Sequence, residues 1–80
     1  MILNNTTNSV ASWEVSNSEN SLKGSKSAES WGTIAPPPGP FNYTATFSGP
    51  QGTATANNIT NPDACLSYTG TELLVTYPGA

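Results

Sequence analysis

Residues 41 to 47 alternate without a break. Phe41, Tyr43, Ala45 and Phe47 fall on one side, and Asn42, Thr44 and Thr46 on the other. A helix would scatter the two sets around its surface. A β-strand, whose side chains point up and down in turn, separates them. Aromatic and β-branched residues also suit a pleated, half-buried surface. The segment therefore predicts a strand with an apolar inner face and a neutral polar outer face. Ser48-Gly49-Pro50-Gln51-Gly52 then has turn composition, and Thr53-Ala54-Thr55-Ala56 reads as the returning strand, its small residues facing the aromatics.

The same reasoning extends along the chain. Ala64–Tyr68 and Leu73–Tyr77 predict a second hairpin around Thr69-Gly70-Thr71, with Asn61-Pro62-Asp63 as the loop before it. Ala11–Val15 and Ser30–Ile34 alternate as strands, and Met1-Ile2-Leu3 suggests a short one. Residues 16 to 30 form a polar stretch, read as a long loop or a weak edge strand carrying Lys23 and Lys26. Pro36-Pro37-Pro38-Gly39-Pro40 is a stiff extended connector. No stretch keeps a helical period, no internal repeat is visible and no boundary divides the chain. The expectation is one all-β domain over residues 1–80, a small antiparallel β-sandwich of short strands and hairpins.

Charge is unusually scarce. Asp, Glu, Lys and Arg make up 9% of the 80 residues, against about a quarter in ordinary proteins. With two lysines and a net charge of −3, the chain lacks the basic face that nucleic-acid binding or an electrostatic membrane anchor needs. No apolar run approaches the length of a transmembrane segment. The start lacks the basic and apolar regions of a secretory signal. This leaves two expectations, cytosolic synthesis or a processed or assembled extracellular or virion protein. The sequons at Asn5, Asn42 and Asn58 follow from an Asn- and Thr-rich composition.

The sequence has no histidine and a single cysteine. No Ser-His or Cys-His pair is possible, and neither is a Cys/His zinc site or an intrachain disulfide. Glu14, Glu19, Glu29, Asp63 and Glu72 are scattered and lack the spacing of a calcium loop. Cys65 sits among apolar neighbours and reads as an inert buried thiol. The expectation is a protein that is not an enzyme and that carries no metal or cofactor. A thin core at this length also points to a homo-oligomer as an added source of stability.

Binding residues are sought among aromatics and neutral polar groups. Trp13 and Trp31 are core anchors in the simplest reading; exposed, they would stack on the apolar face of a sugar ring. Tyr43 is open to the same two readings. Asn42, Thr44 and Thr46, with Thr53 and Thr55 across the hairpin, form a neutral ladder of amides and hydroxyls. Such a ladder beside an aromatic suits a neutral glycan, although Thr and Asn are also ordinary residues of a solvent-facing strand. The candidate ligand-binding residues are Trp13, Trp31, Asn42, Tyr43, Thr44 and Thr46.

One family resemblance runs through most of the chain. It rests on Ile2-Leu3-Asn4-Asn5-Thr6, Trp31 before Ile34-Ala35-Pro36, Phe41 through Phe47, Gly52-Thr53, and the closing Leu73-Leu74-Val75-Thr76-Tyr77-Pro78-Gly79. In order and spacing these resemble the aegerolysin-like family of small β-sandwich proteins. The resemblance implies membrane-lipid recognition and, in some members, help in pore formation; it assigns no site residues here. Composition alone is also similar to that of small cytosolic fungal-type lectins. Three functions are thus expected in competition: lectin-like recognition of neutral glycans or glycoconjugates, a self-assembling subunit of a capsid, fibre or filament, and lipid binding.

Overall fold

Eight short strands carry the chain from Ile2 to Thr76 in the computed structural model, which describes residues 1–78. They are β1 (Ile2–Asn5), β2 (Ala11–Ser16), β3 (Ser21–Lys26), β4 (Ser30–Thr33), β5 (Tyr43–Gly49), β6 (Gly52–Ile59), β7 (Cys65–Tyr68) and β8 (Leu73–Thr76). The first sheet has the order β4-β1-β7-β8 and the second β3-β2-β5-β6. No described element is a helix, so none is long and apolar enough to cross a membrane.

The second sheet is antiparallel throughout. The first is mixed. β1 runs antiparallel to β4 but parallel to β7, with Leu3 opposite Leu66 and Asn5 opposite Tyr68. A parallel pair needs a long crossover, and here it takes in the whole second sheet and β4 of the first, which lie between β1 and β7 in the chain. The polar stretch 16–30 resolves into a tight turn, the edge strand β3 and a second turn. β3 pairs with β2 from Ala11 opposite Lys26 to Ser16 opposite Ser21.

The two inner faces enclose the core. Leu3, Leu66 and Tyr68 come from the first sheet, and Val15, Tyr43, Ala45, Phe47 and Ile59 from the second, all essentially without solvent contact. Burial of a side chain of this size contributes about 1.5–3 kcal/mol. Phe47 and Tyr68 stack between the sheets at 5.4 Å and 25°. The Tyr68 hydroxyl donates to the carbonyls of Gly52 and Gly70 and so ties the β5–β6 turn to the β7–β8 turn. Gly70 can take this place because its φ of 101° suits a residue without a side chain.

The side between β3 and β4 is closed by polar groups. Lys26 faces inward opposite Ala11, and its ammonium reaches Gly32 of β4 closely enough that a Cβ there would lie 2.7 Å away. Beside it, Asn5 is fully buried. Its Nδ2 donates to the carbonyls of Ser9, Lys26 and Ser27 at 2.8, 3.1 and 3.1 Å. Its Oδ1 accepts from the amide and hydroxyl of Thr7. One buried amide thus satisfies backbone groups from both sheets' connections, which is what a buried polar side chain requires.

Candidate functional site

The outer face of the second sheet is a lattice of hydroxyls. Across its strands, Ser25, Ser12, Ser48 and Thr53 form one row, and Lys23, Glu14, Thr46 and Thr55 the next. Some hydroxyls pair with each other: Thr46 with Thr55 at 3.1 Å and Ser48 with Thr53 at 2.9 Å. The alternation that buries Tyr43, Ala45 and Phe47 necessarily turns Thr44 and Thr46 outward. Lys23 and Glu14, directly opposite each other, are the only charges in these rows.

At one end this face runs into a groove of about 500 Å³, lined by Ser16, Asn17, Ser18, Pro40, Asn42 and Thr44. The β2–β3 turn makes one wall. Asn17 Oδ1 accepts the amides of Glu19 and Asn20, both at 2.8 Å, which folds the turn on itself. The proline run makes the other wall. Asn17 Nδ2 donates to the carbonyls of Pro37 and Pro38 at 3.2 and 3.1 Å, and Asn20 Nδ2 to that of Pro38 at 2.7 Å. Two asparagines therefore hold a rigid connector against the sheet. Within the groove, Asn17 is occupied by the scaffold, whereas the Ser16, Asn42 and Thr44 side chains present neutral donors and acceptors.

Phe41, between the groove residues Pro40 and Asn42 in the chain, is 63% exposed. The alternation had set it inward with Tyr43. The Asn42 amide instead donates to the Pro40 carbonyl at 2.9 Å, closing a three-residue turn around Phe41 before β5 begins. The strand period does not reach it. Its ring lies 6.5 Å from that of Tyr43, at 27°.

The six candidate binding residues divide among three surfaces. Asn42 and Thr44 line the groove, and Thr46 continues from it along the hydroxyl face. Tyr43 is wholly buried, and its hydroxyl has no hydrogen-bond partner among the described residues. Trp13 packs against the core, with its indole over Gly24. Trp31 is 68% exposed but lies on the outer face of the other sheet, in a row with Asn4, Ser67 and Leu74. The structure thus brings neither tryptophan to the polar ladder. Sequence reasoning missed Ser16, Asn17, Ser18 and Pro40. The available signal was an Asx-turn residue, Asn17, followed by a proline run whose carbonyls need donors.

Cys65, expected to be buried, is half-exposed on that same outer face of the first sheet, its Sγ 4.0 Å from the Ser67 hydroxyl. Among the described residues, no three of Cys, Asp and Glu gather closely enough to hold a metal ion. Comparison of the chain with protein-family models, with curated proteins and with solved structures gives no match.

Proposed function

We propose that this protein is a non-enzymatic recognition module for a neutral, polyhydroxylated ligand, a glycan or glycoconjugate, held in the groove beside β5. The observation that carries the reading is the lining of that groove. None of its six residues is charged, and two of them, Pro40 and Asn42, flank the exposed Phe41 in the chain. Its volume falls in the range of small-molecule sites. Uncharged amides and hydroxyls match the alternating donors and acceptors of a sugar and repel no neutral ligand. Asn42 and Thr44 would hydrogen-bond sugar hydroxyls, and Phe41 would stack on the apolar face of a ring. Thr46 and the hydroxyl face would extend contact to a longer chain.

A glycan array probed with the labelled protein tests this reading. Selective binding to neutral glycans, competed by the free sugar, supports it. An array without signal overturns it. Preferential binding to liposomes in place of glycans would favour the lipid recognition that the aegerolysin-like resemblance implies.

A further inference from the structure

The open edges of the two sheets are not alike. β3 carries Lys23 and Lys26, and charge at an edge discourages further pairing. β4 and β8 have only four residues each; Lys26 lies over β4, and Pro78 follows β8. β6 is different. It is the longest strand, at eight residues, it has neither charge nor proline, and among the described residues it pairs with β5 alone. Its one interruption is a bulge at the far end. Between Tyr43 and Ala45 on β5, β6 spends an extra residue, and Asn58 there has a φ of 58°. From Gly52 to Ala56 the register with β5 is regular.

We infer that this segment of β6 pairs, antiparallel and across a two-fold axis, with the same strand of a second copy. The two-residue turn Pro50–Gln51 closes on the Gly49–Gly52 pair. By the alternation of an antiparallel ladder, Gly52, Ala54 and Ala56 bond to β5, and the N–H and C=O of Thr53 and Thr55 face the open edge. A second copy suits this edge because an isologous contact sets each strand against itself, and this strand holds nothing that repels its own copy. The Thr53 and Thr55 hydroxyls already pair across a ladder with Ser48 and Thr46. Joined this way, two second sheets become one eight-stranded sheet with a continuous hydroxyl face. A contact of so few residues lies below about 1,200 Å², the range of weak and transient complexes. The dimer is therefore in rapid exchange with monomer.

The test is sedimentation equilibrium at rising protein concentration, with amide exchange followed residue by residue. The expected result is a concentration-dependent dimer in which exchange slows at Thr53 and Thr55. Thr55→Lys, which sets like charges near each other across the axis, should leave only monomer. Ser12→Lys, on the same face but on the inner strand β2, should leave the dimer intact. A wild-type chain that stays monomeric at every concentration overturns the proposal, as does a dimer whose slowed amides lie elsewhere. The wild-type exchange pattern decides the matter even where a lysine variant fails to fold.

Discussion

The indole of Trp13 lies across Gly24, the residue directly opposite it on β3, so closely that a Cβ on Gly24 would stand 2.6 Å from Trp13 Cζ2. The backbone of Gly24 is not in the left-handed region, so the glycine serves as space for the ring and not for its conformational freedom. Gly24→Ala should push the indole outward and destabilise the fold by about 1–3 kcal/mol, the usual cost of overpacking. In a Trp31→Phe background, where Trp13 is the only tryptophan, selectively excited indole emission should move to longer wavelength. Unchanged emission and stability would mean that the ring does not rest on Gly24.

Two buried tyrosines should answer the same substitution with opposite signs. The Tyr68 hydroxyl donates to two turn carbonyls, whereas the Tyr43 hydroxyl is buried without a partner. Tyr68→Phe should lower stability by about 1–2 kcal/mol, since it strands buried acceptors, and Tyr43→Phe should be neutral or raise it by up to about 1 kcal/mol. Urea denaturation of both variants measures the difference. A loss of stability in Tyr43→Phe equal to that in Tyr68→Phe would contradict the assignment.

Asn5 is the polar hinge of the fold. Asn5→Ala should cost about 3 kcal/mol, because it deletes every hydrogen bond of a fully buried amide and takes the acceptor from the buried Thr7 amide. Asn5→Asp should be at least as damaging at neutral pH, since it replaces an amide donor with a carboxylate facing three carbonyl oxygens. Thermal unfolding by circular dichroism gives both values. A melting temperature unchanged in either variant would remove Asn5 from this role.

Much of the fold could be read from local pattern, because local pattern is what a sequence expresses. Tyr43, Ala45 and Phe47 have period two and are all buried, and Leu66 and Tyr68 repeat the arrangement in β7. Where geometry depends on distant partners, the reading stopped short. The parallel pairing of β1 with β7 joins residues more than sixty positions apart and leaves no mark on either strand's composition. Residues 16 to 30 leave a loop and a weak edge strand both open, because an edge strand with one face in water has little need of apolar residues; the pairing of β3 with β2 decides for the strand. Phe41 was assigned to the core because alternation cannot show that a turn at Pro40 and Asn42 cuts the strand short. The site was half-legible for the same reason. Asn42, Thr44 and Thr46 lie within one alternating segment, but the wall opposite them is built by Asn17 bonding to a connector some twenty residues away.

Substitutions in the groove should separate binding from stability. Asn42 is exposed and Thr44 half-exposed, with one long hydrogen bond of 3.4 Å from Thr44 to Asn57. Asn42→Ala combined with Thr44→Val should change stability by less than about 0.5 kcal/mol, as surface substitutions usually do. The same pair should abolish retention on an immobilised neutral glycan, and Phe41→Ala should weaken it about tenfold, within the range of one stacking contact. Retention by the double variant equal to that of the wild type would place binding elsewhere.

The most direct test of the account is a nuclear magnetic resonance titration of the labelled protein with a panel of neutral mono- and oligosaccharides. Backbone shifts that grow with sugar concentration and cluster at Ser16, Phe41, Asn42 and Thr44 are the predicted result. Shifts centred on Trp31 and the outer face of the first sheet, or no shifts with any sugar, would contradict it.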